Sequence, residues 1–480
     1  LEVGGLTIEI GVEENQKQSP QIISKKGEND PLQDVVTWTV EIAGGNIDNL
    51  NLRLHDTFDE KQDYVAGSFA LNGVSISDSE LAPEAGGEIG RTLACVLPTP
   101  LEPVEGNYTA TYQTKPSASL FYREGVLQDL KGVELINTAQ LYASGFAFGE
   151  PKEAKVSLPN ATWMSKTGII KADKTGIVWT LTLNSVNRYG LNVTVYDVIP
   201  FCAEQGGKGP YLTRPASVSA ASGSGTIANF AQGFEYKGTD YSQNGIKFDV
   251  NGLNGQCVIQ YETPLSEKYF EENNRTQTFE NQAWMDVRWN PGDGTEEQDF
   301  VMPSIAKSGV PVVTSLITKT AGVYNPSNQE IVWTVTVNGN RIDMRNAVVT
   351  DVIANGVVAG GSLNQVYVRY DPMNSGATAD ASDPASPVFT LGNIGRESRT
   401  FTVTTRVVDP SFISSNSTRT FQNKVNLSYQ VGEQEPVFTA STVSNCTGTS
   451  SKMIEKKRGI ITTRPASRAG PSWSIITRWR

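Results

Sequence analysis

A chain of 480 residues with 38% hydrophobic and 19% charged side chains is composed like a folded protein, and at roughly 150 residues per domain it holds about three of them. A net charge of −11 argues against nucleic acid as the main partner, because phosphate binding needs a basic surface. The single histidine, His55, excludes a multi-histidine metal site, and four cysteines without a CxxC pair exclude a zinc ribbon or a disulfide-dense scaffold.

In chain order, residues 1–19 include Leu6-Thr-Ile-Glu-Ile10, an alternating stretch expected to close a preceding unit or form a linker. The first full unit, 20–149, opens with Ile23-Ser-Lys25 and Gly27. It continues through Trp38-Thr-Val-Glu-Ile and Asn51-Leu-Arg-Leu-His-Asp56, and ends on Leu135-Ile-Asn137-Thr-Ala139. The second, 155–299, repeats the series as Met164-Ser-Lys166 with Gly168, Trp179-Thr-Leu-Thr-Leu, Asn192-Val-Thr-Val-Tyr-Asp197 and Phe279-Glu-Asn281-Gln-Ala283. The third, 308–447, has Ile317-Thr-Lys319 with Gly322, Trp333-Thr-Val-Thr-Val, Asn346-Ala-Val-Val-Thr-Asp351 and Phe421-Gln-Asn423-Lys-Val425. Trp and Asp stand 18 residues apart in all three copies, and Lys precedes Trp by 13, 13 and 14. Chance does not produce that constancy, and repeats of this kind mark an array.

The joints Gly149-Glu-Pro151, 290–297 and 447–451 read as short linkers. Residues 452–480 carry eight Lys or Arg against Glu455 alone, a local +7 that leaves −18 on the rest. With Trp473-Ser-Ile475 this tail reads as the truncated start of a fourth unit or a disordered basic end. No secretory signal precedes Leu1 and no run reaches the roughly 20 apolar residues of a membrane span. The chain is thus expected to be a window cut from a longer array.

Alternating β-branched phrases with no amphipathic helix predict an all-β chain. Residues i and i+2 share a face of a strand. Lys25 then falls with Ile23, Lys166 with Met164 and Lys319 with Ile317. Asp56, Asp197 and Asp351 fall with the apolar residues before them, and Asn137, Asn281 and Asn423 with Leu135, Phe279 and Phe421. Each unit aims one Lys, one Asp and one Asn at an apolar core, where a lone ion is costly. Burial favours a neutral amine and a protonated acid. Such an acid can polarise the asparagine carbonyl, and the amine can attack it with loss of ammonia, leaving a Lys–Asn isopeptide bond. The alternative is a buried salt bridge beside a hydrogen-bonding amide.

Lys-Thr-Gly, Trp on the next strand, Asp ending a third and Phe-x-Asn-x-Ala on the last resemble the collagen-adhesin A-type domains of Gram-positive surface proteins, and related isopeptide-forming domains of pilins and stalks. The resemblance spans roughly 20–447 and is most specific in the second unit. It implies tandem Ig-like β-sandwiches, each with a self-formed bond joining first and last strands. It assigns the cross-links Lys25–Asn137, Lys166–Asn281 and Lys319–Asn423, with Asp56, Asp197 and Asp351 as the promoting acids. The departures are Lys25-Lys26-Gly27, which leaves two candidate lysines, Ala321 ahead of Gly322, and Val425 in place of Ala. No Leu-Pro-x-Thr-Gly sorting signal is present, so attachment to the cell wall is expected through other parts of the protein.

The expected function is a segment of an extracellular cell-surface adhesin or stalk. No cofactor or metal is expected, and no enzymatic turnover beyond one intramolecular reaction per unit. The rival is that the segment itself clamps a matrix protein or glycan between domains, at a site built on insertions such as 217–233. An enzyme is a weak third, without a nucleophile–histidine pair or a second recurring carboxylate. The repeated Trp is expected in the core and His55 on the outward register. Cys202 and Cys257 could pair in an oxidising compartment. Asp371, Asn374, Asp380 and Asp383 loosely resemble a calcium loop without its closing Glu.

Overall fold

The computed structural model of the protein describes residues 19–451 apart from 32, 45–50, 83–88, 98–107, 293–295, 354–363 and 434–436, together with short strands at 2–3 and 6–7. Residues 8–10 and the basic tail 452–480, for which the sequence suggested strands, lie outside the described residues. The chain is all-β, in tandem Ig-like sandwiches. The one α-helical turn among the described residues is Pro410–Ile413. Among those residues no helix is long and apolar enough to cross a membrane.

The same strand order recurs three times. In the first sandwich the lysine strand Gln21–Asp30 pairs with the tryptophan strand Val35–Ala43, which pairs with Tyr108–Pro116. The facing sheet runs from the closing strand Phe146–Ser157 to the asparagine strand Glu134–Ala143, the aspartate strand Leu52–Phe58 and Thr92–Val96. In the second, Met164–Ile170, Gly176–Leu183 and Cys257–Pro264 form one sheet. Thr276–Trp289 carries the asparagine in the other, between Leu191–Val198 and the closing strand Ala306–Val313. In the third, Ile317–Ala321, Glu330–Val337 and Arg399–Val407 face Met344–Val352, Thr418–Val431 and Phe438–Thr449.

Alternation builds the core directly. Along Val35–Ala43 the buried side chains are Val36, Trp38, Val40 and Ile42, while the residues between them are half-buried. Trp38, Trp179 and Trp333 are all fully buried. Removing 150–250 Å² of aromatic surface from water is worth about 4–6 kcal/mol as an upper bound. Each indole N–H donates to a threonine two residues along on the third strand of its sheet: Trp38 to Thr114 (2.8 Å), Trp179 to Thr263 (2.9 Å) and Trp333 to Thr405 (2.9 Å). Gly27 and Gly168 lie directly across from Trp38 and Trp179, and a Cβ there would stand 2.5 and 2.4 Å from the indole ring. In the third sandwich Ala321 holds that register opposite Trp333, and Gly322 falls one residue beyond.

The described residues form two compact units. One comprises the residues up to 270 with 275–313, and the other 271–274 with 314 onward. The first unit holds two sandwiches packed together. Val126 pairs with Val301 of the second sandwich's sheet, and buried Trp163 donates to the Gln128 carbonyl (3.0 Å) while packing on Trp289. Arg188 pairs with Asp34 at 2.5 Å and lies 3.9 Å over the Phe121 ring.

Several expectations are corrected. Gly149-Glu-Pro151 is not a linker but lies inside the strand Phe146–Ser157, and Thr447 lies inside Phe438–Thr449. Residues 290–297 join two antiparallel strands of one sheet, Thr276–Trp289 and Gln298–Val301. The asparagine strand is not the last of its sandwich, because further chain follows it and pairs along its outer edge, as one strand in the first and third sandwiches and as Gln298–Val301 and Ala306–Val313 in the second. Ile23 does not share a face with Lys25. A register shift between Ile22 and Ser24 turns Ile23 outward, 43% exposed, and puts Ile22 in the core instead.

Candidate functional site

In each sandwich the lysine rises from one sheet and meets the aspartate of the facing sheet. Lys25 Nζ lies 2.6 Å from both Asp56 carboxylate oxygens, Lys166 Nζ 2.5 Å from Asp197 Oδ2, and Lys319 Nζ 2.8 Å from both Asp351 oxygens. All six side chains have no solvent exposure. Lys26 points outward at 58% exposure and pairs with Glu28, so of the two candidate lysines only Lys25 enters the core. Ala139, Ala283 and Val425 pair with the three aspartates, which sets each asparagine two residues along the neighbouring strand on the same face. Asn137, Asn281 and Asn423 are buried to 1% or less.

Burial dominates the electrostatics. It lowers the affinity of Lys25 and Lys166 for a proton, and brings Lys319 down to about 8, against the opposing pull of each aspartate. It raises Asp56, Asp197 and Asp351 above the usual carboxylate range, against the pull of each lysine. The indole face of the repeated Trp forms a wall 5.5–5.6 Å from each Nζ. These opposite shifts favour the neutral amine and carboxylic acid, the protonation states in which an amine can attack and an acid can donate. Asn281 Oδ1 and Asp197 Oδ1 are both buried without a hydrogen-bond partner, as is Asn137 Oδ1. A proton on Asp197 would give such a carbonyl oxygen its donor.

Two participants were missed by the sequence reading. Tyr261 Oη accepts from Lys166 Nζ (2.7 Å) and Asn281 Nδ2 (2.8 Å) and donates to Asp197 Oδ2. Tyr112 Oη accepts from Asn137 Nδ2. The signal was a fifth phrase, Tyr112-Gln-Thr114, Tyr261-Glu-Thr263 and Val403-Thr-Thr405. Its threonine lies 76, 84 and 72 residues beyond the Trp it serves, so a search for constant spacing passes over it.

The remaining candidates resolve differently. His55 is half-buried on the outward register and packs on Tyr142, ring centroids 4.3 Å apart, away from the Asp56 pocket. Cys202 and Cys257 are unpaired: Cys257 opens a strand of the lysine sheet, and Cys202 sits in the turn after the aspartate strand of the facing one. Asp371, Asn374, Asp380 and Asp383 do not converge on a cation. Their side-chain oxygens accept the backbone N–H groups of Met373, Thr400, Ser382 and Ala385. The insertion around 217–233 adds one edge strand to each sheet of the second sandwich. Beside it, Tyr236, Tyr241, Trp284, Met302 and Ile305 help line a cavity of 320 Å³.

Residues 314–435 match the family described as the collagen binding domain. Among solved structures the chain is similar to ACE19, the collagen binding subdomain of the Enterococcus faecalis surface protein ACE, at 14% identity over 27% of this chain and 95% of that one, TM-score 0.22. It is similar to the collagen-binding domain of a Staphylococcus aureus adhesin at 18% identity over 32% and 99%, TM-score 0.20. A third is the collagen binding domain of Erysipelothrix rhusiopathiae surface protein RspB, at 11% identity over 60% and 98%, TM-score 0.18. No curated protein matches the sequence. The repeated fold is that of tandem Ig-like β-sandwiches. Its third sandwich is, over 314–435, similar to the collagen binding domain family.

Proposed function

We propose that the chain is an extracellular segment of a cell-surface adhesin or stalk whose three sandwiches, about 20–149, 155–299 and 308–447 with each end extended to its closing strand, each carry one autocatalytic Lys–Asn isopeptide bond. The observation that carries this reading is the threefold recurrence of a buried Lys–Asp pair spanning the two sheets, with an asparagine on the acid's own face. A structural salt bridge alone is a poor reason to bury six ionisable groups, since desolvation offsets the Coulomb gain. In the reaction the neutral amine attacks the asparagine side-chain carbonyl carbon, the aspartic acid hydrogen-bonds the developing oxyanion, and ammonia leaves. The protein consumes its own residues once and turns over no external substrate. Intact-mass spectrometry tests it: each bond lowers the mass by about 17 Da, so three lower it by about 51 Da. A mass equal to that of the sequence would sink the covalent reading.

A second reading concerns the ligand. The family match of residues 314–435 supports collagen, an extracellular matrix protein, as the partner, with a glycan as the rival. Immobilised collagens and a glycan array, probed with the whole chain, distinguish the two. Retention by neither would leave the segment a spacer.

A further inference from the structure

We propose that the Tyr261 hydroxyl is a catalytic group of the cross-linking reaction in the second sandwich, carrying a proton from the attacking amine to the departing amide nitrogen, and that Tyr112 does the same in the first. This rests on the isopeptide reading and adds a role that the Lys, Asp and Asn leave unfilled. As Lys166 Nζ bonds to the Asn281 side-chain carbonyl carbon, Nζ must lose one hydrogen. As the bond from that carbon to Nδ2 breaks, Nδ2 must gain one to leave as ammonia. Asp197 is committed to the carbonyl oxygen. Tyr261 Oη lies within hydrogen-bond reach of both nitrogens, at 2.7 Å from Nζ and 2.8 Å from Nδ2. In the tetrahedral intermediate Nδ2 becomes an amine with a free lone pair, so the hydroxyl can turn from Asp197 and give it a hydrogen while accepting one from Nζ. Tyrosine and aspartic acid end as they began, and the balance is one amide and one ammonia.

Burial drives Tyr261 ionisation well above its ordinary value, with the Asp197 charge adding to it, so a free phenolate is not the base. The hydroxyl must take and give in one motion. In the first sandwich Tyr112 accepts from Asn137 Nδ2, and its ring lies 5.8 Å from Lys25 Nζ. The third sandwich is the built-in comparison. Tyr112 pairs across from Trp38 and Tyr261 from Trp179, but Val403 pairs across from Trp333. There both amide atoms of Asn423 are buried without a partner. The third bond must therefore form without a hydroxyl relay and more slowly.

The test follows cross-linked peptides by mass after synchronised synthesis of the full chain. Tyr261→Phe is expected to slow the Lys166–Asn281 bond at least about tenfold, within the range of general acid–base catalysis, leaving the other two unchanged. In heavy water the Lys166–Asn281 bond should slow more than the Lys319–Asn423 bond, a readout that mere packing would not move. Val403→Tyr should speed the third bond. If the Phe variant misfolds, as judged by protease sensitivity against an Asn281→Ala control, the isotope comparison and Val403→Tyr decide. A native chain with no Lys166–Asn281 peptide would defeat the isopeptide reading itself. A native chain that forms it, with an unslowed folded Phe variant or with no isotope difference and no gain in Val403→Tyr, would overturn only the role of the hydroxyl.

Discussion

In the proposed reaction each aspartate would have one local task, polarising the asparagine beside it, so its loss should be felt in one sandwich alone. Asp197→Ala is expected to cut the total mass deficit from about 51 to about 34 Da, with the Lys166–Asn281 peptide missing and the other two recovered. A full deficit in that variant would remove Asp197 from the reaction. The unreacted pair should also write itself into stability. Asn423→Ala leaves Lys319 free, with an amine that releases its proton at about 8 in the folded chain and at 10.5 when unfolded. Between those pH values the unfolded state holds the extra proton, so the stability of the variant rises with pH, by up to about 3 kcal/mol at 1.36 kcal/mol per unit. Asp351, raised by burial, acts oppositely: stability falls as pH climbs above 3.8 while only the folded state keeps its proton. Urea titrations from pH 7.5 to 10.5 measure the lysine slope, and adding Lys319→Met should erase it. At this scale the sequence was legible where spacing was rigid: Lys166, Asp197 and Asn281 lie where alternation put them. It misled at Ile23, because a bulge flips one side chain without changing composition. It was silent on Tyr112 and Tyr261, whose partners lie across loops of unequal length.

Between residue and domain, the recurring device is the contact of a glycine with a tryptophan across one strand pair. The phrase Lys-x-Gly was readable in the sequence, but its cause is steric and appears only with the register. A Cβ at Gly168 would stand 2.4 Å from Trp179 Cζ3 and 2.6 Å from a Val310 methyl, and both neighbours are buried. Gly168→Ala should therefore destabilise the second sandwich by about 1–3 kcal/mol, the usual cost of overpacking, seen as a lower denaturation midpoint. The third sandwich already carries Ala321 at that register, so Ala321→Gly should bring no comparable gain. The partner of the indole is as specific: Thr263→Val strands the buried Trp179 N–H and should cost about 1–3 kcal/mol. Both measurements need an Asn281→Ala background, since a covalent tie between the sheets would mask them. The strands themselves were legible from alternation. Their ends were not, because Gly149-Glu-Pro151 has the composition of a turn but forms an irregularity inside the edge strand Phe146–Ser157, between the 146–148 and 152–157 stretches that pair with the asparagine strand, and an edge bulge tolerates proline.

Across the whole molecule, the placement of the proposed bonds would decide how it carries load. Lys25–Asn137, Lys166–Asn281 and Lys319–Asn423 would enclose 112, 115 and 104 residues, nearly all of each sandwich. Closing loops of about 100 residues removes unfolded-state entropy worth roughly 4.7 kcal/mol by the disulfide analogy, against about 5–15 kcal/mol for a whole domain. The mechanical effect is larger. Tension entering the lysine strand would pass through the bond to the asparagine strand and bypass everything between. Because a closing strand follows each asparagine strand, Phe146–Ser157, Ala306–Val313 and Phe438–Thr449 lie outside the tied loops. They are the parts that force can still peel. Between Asn137 and Lys166 stand 28 residues, and between Asn281 and Lys319 stand 37. At 3.3–3.6 Å per residue these release about 90–100 Å and about 120–135 Å. Single-molecule pulling of the native chain should show steps of that size and none of the about 340–410 Å that a whole tied loop would yield. Asn281→Ala should restore one long step, from the second sandwich alone, and reductant should change nothing, since no disulfide carries the load among the described residues. Long steps in the native chain would mean that force runs through hydrogen-bonded strands rather than through the bonds, and the load-bearing role would be lost even if the bonds were found by mass.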